Sequence, residues 1–174
     1  MNDAIERARA LQLMAFDVDG VLTDGGLYLT DGGEEIKRFH TLDGLGMKLL
    51  QSAGVELALI TGRQSRLVAR RAAELGVTHL FQGVEDKLAA LEALRVRLGI
   101  AMASCGYMGD DLPDLPLLTR CGFAATVPEA PEAVRARAHY VSRKPAGGGA
   151  VREVCELILS ARGALEAAVG RHLA

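Results

Sequence analysis

Leu11-Gln12-Leu13-Met14-Ala15-Phe16-Asp17-Val18-Asp19-Gly20-Val21-Leu22-Thr23-Asp24 passes from apolar to acidic within one short stretch. A strand buried on both faces of a parallel sheet reads as such a near-continuous apolar segment. Ending it with Asp17, Asp19 and Gly20 places two carboxylates at the carboxyl edge of the sheet, where open α/β sheets bind ligands. Like charges that close resist joint ionisation unless a positive charge lies among them. A divalent cation is the simplest such charge. Spacing excludes an EF-hand calcium loop, since its third ligand would be Val21 and its glycine would come later than Gly20.

Outward from this first strand (about Leu11 to Val18), apolar runs alternate with stretches of helical period, the pattern of βαβ units. A hairpin follows it: Leu27 to Thr30, the turn Asp31-Gly32-Gly33, then Glu35 to His40. Asp-Gly-Gly supplies the positive φ values that a tight turn needs. Helices are expected over about Leu45–Ser52, Gln64–Leu75, Asp86–Leu98 and Ala150–Ala161, and core strands over about Val55–Ile60, Thr78–Phe81 and Ser104–Met108. Short elements are expected near Leu115–Thr119, Gly122–Ala125, Glu132–Ala136 and His139–Val141. Arg162 to Ala174, rich in Ala and Gly and weakly amphipathic, reads as a tail. The expected fold is α/β: a three-layer, Rossmann-like doubly wound parallel sheet with a small β-hairpin insertion and no cap domain. Residues 1–174 form one domain, with the insertion at about 25–40 and the tail at about 162–174.

At 174 residues the chain is long enough to bury a full core, and with 49% hydrophobic but only 4% aromatic residues that core must be aliphatic. A net charge of −2 and scattered arginines argue against nucleic acid and against a membrane surface as partners. No apolar run reaches the roughly 20 residues of a membrane span. Cys105, Cys121 and Cys155 are odd in number and widely spaced, which suits buried thiols in a reducing compartment. Met1 to Glu6 has no basic segment leading into an apolar one, so a cytoplasmic protein is expected.

Four loops carry chemistry, each after an apolar strand: Asp17-Val18-Asp19, Thr61-Gly62-Arg63, Gly83 to Lys87, and Gly109-Asp110-Asp111 with Asp114. Each has a structural alternative. Paired acids cap helices, Thr61 suits an N-cap, and Asp110 and Asp111 suit a helix start. A lysine, though, is not favoured in a first helical turn, and Lys87 is one of only four lysines in the chain. All four loops in order, each at a strand end, point to phosphoryl transfer. One carboxylate can attack phosphorus, and a second, two residues on, can protonate the leaving oxygen and later activate water. Mg²⁺ held by Asp17 and Asp110 would neutralise the converging acids and the phosphate. Thr61 and Lys87 would bind the equatorial oxygens.

At these residues the chain resembles the haloacid dehalogenase-like phosphatase superfamily. The resemblance implies Asp17 as nucleophile and Asp19 as general acid and base. It implies Mg²⁺ bound by the Asp17 carboxylate, the Asp19 backbone carbonyl and Asp110, with Asp111 and Asp114 orienting the ligands or Lys87. Residues 17–25, the hairpin, Asp43-Gly44-Leu45-Gly46, Ile60-Thr61-Gly62-Arg63 and Gly149 to Glu153 look more narrowly like the 3-deoxy-D-manno-octulosonate 8-phosphate phosphatase family, over about Leu13 to Ser160. That family removes phosphate from a sugar acid bound for the lipopolysaccharide inner core, which implies a Gram-negative source. It also implies a homotetramer with hairpins meeting at the centre, and a Gly-rich loop (Gly147-Gly148-Gly149) and tail that close a neighbour's site. The family's Gly-rich loop often carries a basic residue where this chain has Gly148. Arg63 is therefore the stronger candidate for an anion contact, and Thr23, Gly62 and Lys87 are further candidates for substrate binding.

Three alternatives stay open at this stage. One is a phosphatase for a nine-carbon, sialic-acid-like ketoacid 9-phosphate on the same scaffold. Another is a non-catalytic phosphoacceptor of the response-regulator kind, against which stand Asp19 and the order of Lys87 before the last acidic pair. The third is a silent oligomerisation domain, against which stand the intact motifs.

Overall fold

The short apolar runs form the strands of one six-stranded sheet in the computed structural model, which describes residues 2–173. A first helix, α1 (Asn2–Arg9), leads into β1 (Leu13–Phe16), and β2 (Tyr28–Leu29) and β3 (Glu35–Ile36) make a separate ribbon. Then come α2 (Thr41–Ser52), β4 (Glu56–Ile60), α3 (Arg66–Leu75), β5 (His79–Phe81), α4 (Lys87–Leu98) and β6 (Cys105–Met108). The chain continues through α5 (Leu115–Leu118), β7 (Phe123–Thr126), α6 (Glu132–Arg135), β8 (Tyr140–Val141), α7 (Ala150–Ala161) and α8 (Leu165–Gly170).

The sheet order is β5-β4-β1-β6-β7-β8, and every neighbouring pair is parallel. The chain winds outward from β1 through β4 to β5, then returns to the other side of β1 for β6, β7 and β8. Right-handed crossovers place α2 and α3 on one face and α4, α5 and α6 on the other, while α7 packs against α2 and α1 against α7. This is the expected three-layer, doubly wound arrangement. The direction of winding reverses between β1 and β6, and a crevice opens there at the carboxyl ends of the strands.

The core is aliphatic around three large aromatic side chains, Phe16, Tyr107 and Phe123, all fully buried. The three cysteines are buried free thiols, and burial pushes Cys105 up to about 11 and Cys121 up to about 12. No helix among the described residues is long and apolar enough to cross a membrane.

Three local features differ from the pattern read in the sequence. Residues 2–9 are helical because the small faces of Ala4 and Ala8 are buried and Arg7 donates to the Gly122 carbonyl at 3.1 Å. The helix expected from Leu45 starts at Thr41, with the His40 ring accepting from the Leu42 N–H at 3.2 Å. Gly44 and Gly46 do not break it, because they let other elements approach: a Cβ on Gly46 would lie 3.0 Å from the Arg152 Cα of α7. The segment after Arg162 contains α8, held through a fully buried Ala168. A helix that short draws its stability from packing, which local periodicity does not record.

Candidate active site

Parallel register delivers the four loops to one place. Phe16 pairs with Met108 on one side and with Leu59 on the other, so Asp17 emerges level with Gly109 and Ile60. The Asp17 N–H continues the ladder to the Met108 carbonyl at 2.9 Å. Thr61 donates its N–H to Phe81 across the next strand. Lys87 starts α4, whose N-cap is Asp86, its side chain accepting from the Ala89 N–H at 2.9 Å. That cap turns the Lys87 side chain back toward the crevice. A cavity of about 370 Å³ results, lined by Asp17, Asp19, Thr61, Arg63, Lys87 and Asp110 among others.

At its floor the Lys87 ammonium bridges two buried carboxylates, Asp17 at 2.6 Å and Asp114 at 2.7 Å. Asp114 is fully enclosed. One of its oxygens accepts from Lys87 and from the Tyr107 hydroxyl at 2.7 Å; the other accepts the N–H groups of Asp110 at 2.9 Å and Asp111 at 3.2 Å. With four donors satisfied, Asp114 fixes the loop and the lysine and has no lone pair to spare. Tyr107 is the member of this group that periodicity could not reveal, because a buried strand residue reads as core. Burial and the Asp114 carboxylate hold its hydroxyl well above the ordinary range, so it stays a donor. Asp111, exposed, caps the turn Leu112–Asp114.

Asp17 carries the opposite balance. Its Oδ1 accepts from the Val18 N–H at 2.7 Å and its Oδ2 from Lys87. Burial, reinforced by the Asp114 charge, still pushes it up to about 6 despite the lysine. Asp110 is pushed up to about 7, by burial first and then by Asp17, Asp114 and Asp111. Lys87 is drawn down by burial, but the carboxylates of Asp17 and Asp114 outweigh this and leave it above its ordinary value. A group of acids in this condition is short of one positive charge.

A hard divalent cation fits that deficit. Carboxylate oxygens of Asp17, Asp110 and Asp114 all lie within 4.8 Å of one another. Because Asp114 is saturated, Asp17 and Asp110 are the members free to ligate. Gly20 (φ +81°) makes room: a Cβ there would lie 2.1 Å from the Asp110 Oδ2. A Cβ on Gly109 would collide with the Asp114 carboxylate at 2.4 Å. The glycines beside the acids are thus required by the packing of the acids themselves.

The remaining candidates fall in two groups. Thr61 is buried at the cavity wall, Gly62 lies beside it, and the half-exposed Arg63 guanidinium bonds Glu35 at 2.8 Å. Asp19 faces the cavity and is bonded by Lys37 of the ribbon. Thr23 is set back from the cavity: its hydroxyl donates to the Val18 carbonyl at 3.4 Å and accepts from the Gly25 N–H at 3.3 Å. It closes the turn that presents Asp19 and Gly20. Glu35 and Lys37 were not singled out in the sequence, since only the folding back of the ribbon brings them to the site.

Residues 80–154 match the family model of the haloacid dehalogenase-like hydrolases. The chain is 44% identical over 171 residues to 3-deoxy-D-manno-octulosonate 8-phosphate phosphatase of Escherichia coli K12, covering 98% of this chain and 91% of that one. Among solved structures, it resembles the Moraxella catarrhalis 3-deoxy-D-manno-octulosonate 8-phosphate phosphatase, crystallised with magnesium, phosphate and KDO. The identity there is 46%, the TM-score 0.97 and the coverage 99% of both chains. The Yersinia pestis enzyme of the same name superposes with a TM-score of 0.93 at 44% identity, covering 95% of this chain and 89% of that one.

Proposed function

The chain belongs to the 3-deoxy-D-manno-octulosonate 8-phosphate phosphatase family of haloacid dehalogenase-like hydrolases, and on that premise we propose how its own residues hydrolyse that sugar-acid phosphate. The reading rests on one observation above the others: Asp17, Lys87 and Asp110 converge at the mouth between β1 and β6. Mg²⁺, held by the Asp17 carboxylate, the Asp19 carbonyl and Asp110, supplies positive charge against the phosphate oxygens.

Asp17 attacks phosphorus through a carboxylate oxygen, forming the aspartyl-phosphate as the bond to the sugar oxygen breaks. Asp19 gives its proton to that leaving oxygen. It then takes a proton from the water that attacks phosphorus, and the bond from Asp17 to phosphorus breaks. Lys87 and Thr61 bind equatorial oxygens, while Asp111 and Asp114 hold the metal-binding loop and the lysine. Arg63 and the Gly62 backbone border the sugar acid, and Thr23 shapes the loop. The enzyme works in the cytoplasm, ahead of assembly of the lipopolysaccharide inner core.

Phosphate release with Mg²⁺ over a panel of phosphorylated sugars and sugar acids tests the substrate. The eight-carbon acid 8-phosphate is expected to exceed the nine-carbon 9-phosphate by at least about tenfold in kcat/KM. Preference for a neutral sugar phosphate would refute the assignment.

Metal and pH act together on this site. In the metal-free fold Asp17 sits at about 6 and Asp110 at about 7, against 3.8 in the unfolded chain. Between about pH 4 and 7 the folded state therefore holds more protons than the unfolded one, so stability falls as pH rises through that window. Mg²⁺ competes with those protons. Thermal melts should show a larger gain in Tm from Mg²⁺ at pH 8 than at pH 5.5; an equal gain at both would separate the metal from these two acids.

A homotetramer is supported by the ribbon, which exposes Leu27, Tyr28, Leu29 and Ile36. A two-stranded ribbon is marginal without packing partners, and an apolar patch of this kind marks an association surface. Neighbouring subunits would also cover a site that lacks a cap. Sedimentation should give about four times the 18.4 kDa chain mass, and Leu29→Asp should dissociate the assembly. A monomeric wild type would refute it.

A further inference from the structure

The ribbon does more than expose apolar side chains. Lys37, just after β3, has only 2% of its side chain exposed, and its ammonium bonds Asp19 Oδ1. It is the one hydrogen-bond donor to the Asp19 carboxylate among the described residues. Lys37 also lies 3.4 Å from Glu35, which accepts from Arg63 at 2.8 Å and from the Ser65 hydroxyl at 2.9 Å. A chain of charges thus runs from Asp19 through the ribbon to the loop after β4.

We infer that Lys37 is a positioning residue: it holds the Asp19 carboxyl group in the rotamer that faces the cavity, so that the insertion forms part of the active site. This rests on the reading of Asp19 as the proton-transfer group. The argument is one of freedom. Asp19 is 22% exposed, and no other side chain anchors its carboxylate. Freed from Lys37, it would spread over the staggered wells of an aspartate side chain. Proton transfer requires hydrogen-bond reach of the moving proton, and a displacement of about 1 Å is enough to cost a large factor in rate. A lysine serving only to hold the ribbon together already has a partner within it, Glu35 at 3.4 Å, and would not need this carboxylate.

A double-mutant cycle decides the matter, with wild type, Lys37→Met, Asp19→Asn and the double variant assayed for phosphate release from the eight-carbon acid phosphate with Mg²⁺. Lys37→Met is expected to lower kcat about tenfold while KM stays within about twofold. In the Asp19→Asn background, where no proton-transfer group remains to be held, the same substitution should change the residual single-turnover rate by less than about twofold. Lys37→Arg should recover most of the loss. An equal factor in both backgrounds would make Lys37 structural, a raised KM with unchanged kcat would make it a substrate contact, and loss of the circular-dichroism signal in both Lys37 variants would make it a folding residue. Each of these overturns the proposal. Near wild-type turnover by Asp19→Asn alone would instead remove the reading of Asp19 on which it rests.

Discussion

Asp17→Asn is expected to reduce phosphate release by at least about 10⁴-fold while leaving the protein folded. The amide is nearly the same size but is not a nucleophile, so the covalent step has no attacking group. Folding should survive because two effects oppose one another. Both Asp17 oxygens accept a hydrogen bond, from Val18 and from Lys87. An amide can satisfy only one of these donors, at a cost of about 1–3 kcal/mol. Against this, a buried charge that repels Asp114 and Asp110 disappears. The melting temperature should therefore move by only a few degrees. Acid-quenched single turnovers test this role: wild type should carry acid-stable phosphate transiently and Asp17→Asn none at any time. Labelled Asp17→Asn, or its turnover at a near wild-type rate, would remove Asp17 as the attacking group.

The acids at the site were legible because their positions depend only on strand order and direction. An apolar run ending in Asp17 and another ending in Gly109-Asp110 must reach the same edge if both strands are parallel, and the sheet places them side by side. Thr61 and Lys87 were readable for the same reason. The division of labour among the acids was less so. Asp114 looks like any other acid of its loop in sequence; the four donors around it set it apart. Tyr107 was hidden by the strand it belongs to, where a large buried side chain signals core. Glu35 and Lys37 were hidden differently: their importance depends on a ribbon folding back over a site 18 residues away for Lys37 and Asp19, a contact with no local signature. The segments 2–9 and 165–170 fall in a third class, short helices stabilised by buried alanines.

Lys87→Met is the substitution in which stability and activity should separate most clearly. The Lys87 side chain is 8% exposed and its ammonium lies between two buried carboxylates. Removing one member of a buried pair leaves the other charge uncompensated, which costs about 3–5 kcal/mol. The loss depends on pH with a definite sign. Asp17 already titrates at about 6 with the lysine present, and without it would titrate higher still. At pH 5 Asp17 is protonated in both proteins and little is lost on its account; at pH 8 wild type keeps its ion pair while the variant must bury an unpaired anion or hold a proton. The gap in Tm between wild type and Lys87→Met should therefore widen from pH 5 to pH 8. Mg²⁺ should narrow it, because the metal supplies positive charge to the same acids. Turnover should behave otherwise and stay depressed by about 10²–10³-fold at saturating Mg²⁺, since in the proposed mechanism the phosphate oxygens lose a fixed donor that the metal does not replace. Lys87→Arg should not restore it, because a planar guanidinium fork is wider than an ammonium and the lysine's bonds to Asp17 and Asp114 are only 2.6 and 2.7 Å long. Recovery of turnover by Mg²⁺ alone would show that Lys87 serves only to balance the acids, and a Tm gap that stays constant with pH would show that Asp17 is not the group it balances.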